Sequence, residues 1–297
     1  MIKVIFALGF LLIPACLAAQ LNRDIRRDAG QAGALVGVSC SLPGLVLDCN
    51  LNAHEKLPMQ SVYKFPIGLA TLHAVEQGQF VLSQPILFLA ADAVRLGQHS
   101  PLRDMHPQGG VTVPLQELLR LAVSESDGTA SDILLRVLGG PVAVDRYIRS
   151  LGVQGIAVVD TEKTLGKDVK AQYRDTSTPA AMVRLLRLVA DDSPLTSDHT
   201  ALLLRLMTQS GTSNARIKGL LPPNTDVAHK TGTSGEDNGI THATNDVGLI
   251  TMRNGNKLAI AVMIKDSPAS EEVRERVIAQ ITKAVWSKAD GTLATVR

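Results

Sequence analysis

The chain has 297 residues, 45% of them apolar and 20% charged, with a formal net charge of +2. Thirty basic against 28 acidic side chains exclude a strongly basic nucleic-acid surface, and aromatics at 3% leave few rings on which bases could stack. Ordinary Gly and Pro contents and the lack of a fixed repeat period exclude collagen-like, low-complexity and solenoid chains.

The first segment, MIKVIFALGFLLIPACLAAQ, has Lys3 followed by an uncharged run and ends in small residues. That pattern predicts a signal peptide over residues 1–19, cut after Ala19. Ile13-Pro14-Ala15-Cys16 also resembles a loose lipoprotein box, with Cys16 as a lipidation site. No later apolar run is long enough to span a bilayer, so no membrane span is expected. Export places the chain in an oxidising compartment. Residues 21–33 then read as a charged helix. Residues 35–41 and 45–50 read as the two arms of a hairpin closed by Leu42-Pro43-Gly44. Cys40 and Cys49 fall on opposite arms. They form a disulfide if the register sets them opposite, and are buried free thiols otherwise.

Helical periodicity dominates residues 61–77, 114–123, 130–138, 141–151, 179–189 and 198–209. Residues 158–179 are polar and irregular, and a loop of that length inside a compact domain is usually functional. Strands return at 226–233, 246–253 and 257–265, the last two joined by the turn Arg253-Asn254-Gly255-Asn256. An amphipathic helix over 271–288 and a frayed tail over 289–297 close the chain. Strands at both ends and helices between them predict an α+β fold. An antiparallel sheet is built from both termini, flanked by helices, and carries an inserted all-α domain. The expected division is a sheet domain over 20–60 and 211–297 and a helical domain over 61–210.

Four short motifs carry chemistry. In Ser61-Val62-Tyr63-Lys64 the i, i+3 spacing lets the lysine amine approach the serine hydroxyl, which needs a base to become a nucleophile. Alone the motif is weak, since an N-terminal serine and a solvated lysine look the same. Ser126-Asp127-Gly128 places a hydroxyl that can relay a proton, or is an ordinary helix cap. In His229-Lys230-Thr231-Gly232-Thr233-Ser234-Gly235, Lys230 supplies a cation, Thr231 and Thr233 supply hydroxyls for a carboxylate, and Gly232 permits close approach to the strand. The Thr233 N–H is a candidate oxyanion donor. Glu162, in the long loop, can activate a water; a lone loop glutamate is otherwise solvent decoration. The seven histidines show no paired ligand spacing, which disfavours a metal-dependent hydrolase.

Together and in this order the four motifs resemble a class A serine β-lactamase, across residues 22–288. The resemblance implies Ser61 as acylated nucleophile, Lys64 as its proton partner and Glu162 as the base for deacylating water. Ser126 would pass a proton to the lactam nitrogen. Lys230, Thr231, Gly232, Thr233 and Ser234 would hold the substrate. It also implies a β-lactam as small-molecule partner, no cofactor, a periplasmic location and a monomer. His99 falls where the family has an aromatic wall residue. Gly128 replaces the asparagine of Ser-Asp-Asn. Gly166 replaces an asparagine that often holds the water. Asp160 replaces an arginine that pairs with the aspartate matching Asp175, so two carboxylates would repel there. Arg216 is the candidate for the guanidinium that binds the substrate carboxylate; its other reading is a solvated surface arginine. Gln60, the His229–Gly235 block and the Arg216 segment resemble the extended-spectrum branch of PER and VEB enzymes. That implies activity on bulky oxyimino-cephalosporins. A D,D-peptidase or a penicillin sensor that stays acylated shares part of the pattern, but the former would lack Glu162 and the latter usually hangs from a membrane protein.

Overall fold

The structure, a computed structural model, describes residues 12–167 and 169–295. Helix α1 (Leu12–Gly30) leads into β1 (Leu35–Ser41). The short strand β2 (Leu57–Pro58) and a 3-10 turn (Gln60–Tyr63) deliver the chain into α2 (Lys64–Glu76). A small hairpin of β3 (Pro85–Leu87) and β4 (Thr112–Pro114) brackets α3 (Pro101–Met105). Then come α4 (Leu115–Val123), α5 (Gly128–Leu138) and α6 (Pro141–Ser150). The long loop contains β5 (Ile156–Ala157), the single-turn α7 (Glu162–Leu165), a 3-10 turn (Val169–Tyr173) and β6 (Thr176–Ser177). After α8 (Pro179–Asp191) and α9 (Ser197–Thr208) the chain forms β7 (Val227–Thr233), β8 (Glu236–Asp237), β9 (Ile240–Thr251), β10 (Lys257–Ser267) and α10 (Glu271–Thr295).

The main sheet is antiparallel, in the order β1-β10-β9-β7, with β8 also paired to β9. The N-terminal strand therefore lies beside the last one, and the helices between them are inserted, as expected for the α+β class. Both faces of the sheet are covered. On β10, Leu258, Ile260, Val262 and Ile264 face a core shared with Ile25 of α1 and with Val277, Ile281 and Val285 of α10. Ala259, Ala261 and Met263, on the alternate positions, face a core shared with α2, α4, α5, α8 and α9. Period-two alternation thus distributes one apolar run between two cores.

The structure corrects several expectations. The second arm of the first hairpin is not a strand. Isolated bridges join Val38 to Leu51 and Leu42 to Leu45, so residues 46–50 lie opposite only residues 39–41. Two surplus residues cannot join the ladder, and Val46 bulges into solvent. Cys40 and Cys49 share the register of Val38 and Leu51, and they are disulfide-bonded with Cα atoms 6.0 Å apart. β9 begins at Ile240 instead of 246, because its first half is polar yet buried. The expected frayed tail continues α10 to Thr295, since Ala289 is buried and Leu293 packs against the α1–α10 core. Helix α1 begins at Leu12, ahead of the expected start at 21. Residues 1–11 of the expected signal peptide, and the side chain of Cys16, lie outside the described residues. Among those that are described, no helix is long and apolar enough to cross a membrane.

Candidate active site

The 3-10 turn that carries Ser61 begins at Gln60, whose backbone is left-handed at φ +48°. Val62 and Tyr63 anchor the turn in the core, and α2 begins at once with Lys64. That geometry brings the two ends of the first motif together: Lys64 Nζ donates to Ser61 Oγ at 3.0 Å. The amine is buried. It also donates to the Ser126 carbonyl at 2.7 Å and lies 2.8 Å from Glu162 Oε1. The solvated-lysine reading of this motif is therefore wrong.

Ser126 sits just before α5 with φ +61°, a left-handed conformation that costs a non-glycine residue of order 1–3 kcal/mol. Asp127, fully buried, keeps it there. Its carboxylate caps α5 by accepting from Ala130 N (2.8 Å) and also accepts from Ser100 Oγ (2.8 Å) and Leu102 N (2.6 Å). Asp127 is the cap, and Ser126, one residue before it, presents the hydroxyl. The strained serine places its Oγ between two lysines, 3.0 Å from Lys230 Nζ and 3.5 Å from Lys64 Nζ. Burial first, and then the nearby Lys64 charge, push the Lys230 amine well below its ordinary pKa.

Glu162 opens α7, which Thr161 caps by accepting from Thr164 N at 3.3 Å. Asp132, buried on α5, holds this turn against the helical region. Its two oxygens accept from Glu162 N at 2.8 Å and Lys163 N at 3.0 Å. Burial and the neighbouring Glu162 charge raise the Asp132 carboxyl to about 7. The Tyr63 phenol is raised far above its usual value by burial and by the charges of Glu162, Asp132 and Asp175, so it stays neutral.

The opposite wall is β7. A Cβ on Gly232 would run into the Met59 carbonyl and lie 3.2 Å from Val62 N, so the missing side chain makes room for the turn that carries Ser61. The sequence reading assigns that space to substrate, and the structure gives it to the turn. Thr231 Oγ1 bonds Thr212 Oγ1 at 2.7 Å, and the Ser234 hydroxyl accepts from Ala243 N at 3.0 Å. Arg216 is 2% exposed, which excludes the solvated-surface reading. Its guanidinium donates to Thr233 Oγ1 (2.8 Å), the Asn245 carbonyl (3.0 Å) and Glu275 Oε1 (3.1 Å). Behind it, buried Asp246 accepts from Ile217 N at 3.1 Å and meets His229 Nδ1 at 2.9 Å.

These walls enclose an open cavity of about 570 Å³, lined by Ser61, Lys64, Ser126, Glu162, Thr231 and Arg216 among others. His99 and Gly166 line its rim, and His99 Nε2 meets the Glu125 carbonyl at 2.8 Å. Gly128 stands under that rim, donating its N–H to the His99 carbonyl at 3.0 Å. A Cβ there would meet that carbonyl and Val94 Cγ1 at 3.3 Å. Among the described residues, no group of three or more His, Cys, Asp or Glu is arranged to hold a metal.

The beta-lactamase enzyme family profile matches residues 17–289. The extended-spectrum β-lactamase PER-1 of Pseudomonas aeruginosa is 37% identical over 253 residues, covering 85% of this chain and 82% of that protein. β-Lactamase VEB-1 of the same organism is 37% identical over 239 residues, covering 80% and 79%. Among solved structures, the TLA-3 extended-spectrum β-lactamase superposes with a TM-score of 0.88 at 36% identity, covering 92% of this chain and 99% of that one. A β-lactamase from Chitinophaga pinensis gives 0.87 at 35% identity, covering 91% and 99%.

The chain belongs to the class A β-lactamase family. Within this serine β-lactamase the long loop departs from the expected pairing. Asp160 and Asp175 do not face each other unscreened: Arg174, adjacent in sequence to Asp175, grips Asp160 at 2.7 and 3.0 Å. Asp175 instead accepts from Val159 N (2.6 Å) and Asp160 N (3.0 Å), and burial raises its carboxyl to about 7. Sequence reasoning missed Asp132, Gln98, Thr212 and Glu275. Only Asp132 left a signal, as a carboxylate in the apolar stretch of α5. The loop is also tied to the start of β9 and the end of β10 by Tyr173, whose hydroxyl meets His242 Nδ1 at 2.6 Å and Asp266 Oδ1 at 2.5 Å.

Proposed function

We propose that this enzyme hydrolyses the β-lactam amide of penicillins and cephalosporins through an acyl-enzyme on Ser61, so giving antibiotic resistance. The observation that carries the reading is Lys64, whose amine lies within 3.0 Å of Ser61 Oγ and 2.8 Å of Glu162 Oε1. In acylation the Ser61 oxygen attacks the lactam carbonyl carbon, and its proton leaves toward Lys64 and Glu162. The C–N bond then breaks. Ser126, between the lysines, passes a proton to the departing nitrogen. In deacylation a water loses its proton to Glu162, its oxygen attacks the ester carbonyl, the bond from the acyl carbon to Ser61 Oγ breaks, and the proton passes to the departing Oγ. Lys230, Thr231, Thr233, Ser234 and Arg216 hold the substrate carboxylate. The N–H groups of Ser61 and Thr233 stabilise the oxyanion.

The reading extends to bulky oxyimino-cephalosporins, supported by the likeness to PER-1 and TLA-3. It includes a monomer exported to the periplasm after loss of residues 1–19, with a sheet domain over 20–60 and 211–297 and a helical domain over 61–210. Steady hydrolysis of a chromogenic cephalosporin by residues 20–297, with mass on Ser61 followed in parallel, tests it. Turnover is expected to vanish in Ser61→Ala and to stall as acyl-enzyme in Glu162→Gln. A single stoichiometric burst from the unmodified protein would instead identify a penicillin sensor or D,D-peptidase.

A further inference from the structure

We infer that Gln98 is a positioning residue for Glu162, supplying from across the rim the amide that position 166 lacks. The inference rests on Glu162 acting as the deacylation base. Gln98 lies in the segment before α3, far in sequence from the loop. Its Nε2 donates to the Glu162 carbonyl at 2.6 Å, and its Oε1 accepts from Arg95 N at 3.1 Å. One partner must accept and the other must donate, so the amide has one orientation. Its own carbonyl accepts from buried Arg103 Nη1 at 2.9 Å, and Arg95 Nη1 donates to the Gly166 carbonyl at 3.2 Å. The rim segment is thereby pinned at both ends and stapled to α7.

Two facts make this more than surface packing. First, a Cβ built on Gly166 would fall inside contact distance of Gln98 Cδ, Oε1 and Nε2, so the glutamine amide fills the space a side chain at 166 would take. Second, α7 is one turn long and cannot hold its own geometry. Its catalytic residue is braced from outside, with Asp132 on the Glu162 N–H and Gln98 on the Glu162 carbonyl, beside the turn's own bond from Gly166 N at 3.0 Å. Without Gln98 the carboxylate keeps Lys64 as partner but loses its fixed distance to the attacking water.

The test separates acylation from deacylation by stopped-flow and acyl-enzyme mass in Gln98→Ala, Gln98→Met, Gly166→Asn, the double variant Gln98→Ala with Gly166→Asn, and Glu162→Gln. Both Gln98 variants are expected to deacylate roughly tenfold more slowly, the loss of one well-placed hydrogen bond, with a smaller change in acylation. Gly166→Asn alone is expected to slow deacylation by displacing Gln98. The double variant, in which asparagine enters the vacated space, should deacylate faster than either single variant. Gln98→Met keeps the volume and removes the amide, so its behaviour separates hydrogen bonding from packing. Unchanged deacylation in Gln98→Met, equal loss in both steps, or a double variant worse than both singles would overturn the inference. If Glu162→Gln accumulates no acyl-enzyme, the underlying role of Glu162 falls instead, whatever the Gln98 variants do.

Discussion

The two walls of the cavity are built on different principles. The β7 wall is a backbone ladder: Lys230 is registered opposite Val247, Thr231 opposite Asp246 and Thr233 opposite Thr244. Each side chain is placed by the main-chain bonds of its neighbours, and a laddered strand cannot shift one residue without shifting all. The loop wall is a set of one-turn pieces held by side chains. Asp132, Asp175 and Gln98 each bond main-chain groups of residues 159–163. The ladder gains precision from many equivalent bonds, whereas the loop gains it from a few particular ones. Single substitutions on the two sides should therefore fail differently.

The sharpest contrast is between Gly232→Ala and Asp132→Ala. A methyl on Gly232 meets backbone atoms of the Ser61 turn, which a ladder strand cannot yield to, so both acylation and stability are expected to fall. A thermal midpoint lower by several degrees and at least a hundredfold loss in kcat/KM would follow from about 1–3 kcal/mol of overpacking together with a displaced nucleophile. Asp132→Ala removes two main-chain bonds from α7 and leaves the ladder intact. Deacylation should fall about a hundredfold while Ser61 still acylates, seen as acyl-enzyme that builds up within one turnover. Asp132→Asn cannot fully repair it, because both carboxylate oxygens accept from N–H groups. Equal damage to both steps in Asp132→Ala would remove the distinction between the walls.

The same difference decides what could be read from the sequence. Ser61, Lys64, Ser126, Glu162 and Lys230 stand in short motifs whose local geometry is helical or extended, and the structure gathers the first four at one cavity, with the buried Lys230 amine 3.0 Å from Ser126 Oγ. The supporting shell stayed hidden because it is non-local. Gln98 meets Glu162 across 64 positions, and nothing in residue type marks the pair. The start of β9 was hidden for another reason. Thr244, Asn245 and Asp246 are fully buried but polar, satisfied by Arg274, by the Pro58 carbonyl and by His229, so apolar periodicity could not find that strand. Conversely, residues 45–50 carried apolar alternation without a ladder to join.

The loop wall should also respond to pH, with a sign opposite to that of the buried Lys230 amine on the ladder, whose pKa is lowered. Asp175 and Asp132 both have carboxyls raised to about 7, chiefly by burial. A carboxyl raised on folding stabilises most below its unfolded pKa, and that contribution is lost as pH rises through the folded value. The contribution of these two groups to stability is therefore expected to decline between about pH 4 and pH 7 and then level off. Proteolytic cutting within residues 158–179 should increase over the same window. Asp175→Asn removes one of the two titrating groups and should flatten the slope; an unaltered slope would place the pH dependence elsewhere.

The mildest test concerns Arg174, half exposed, which grips Asp160 in a fork of two bonds. An ion pair open to solvent on one side contributes about 0–1 kcal/mol, so Arg174→Ala should lower the midpoint by only a few degrees, and by less in high salt. Its informative effect is electrostatic. The Asp160 charge already raises the Asp175 carboxyl, and Arg174 is bonded to that same Asp160 carboxylate. Without the guanidinium, Asp175 should titrate at still higher pH, moving the decline in loop protection upward while kcat near neutrality changes little. If the decline stays where it is, Arg174 is not what reconciles the two carboxylates, and the main-chain N–H groups on Asp175 suffice by themselves.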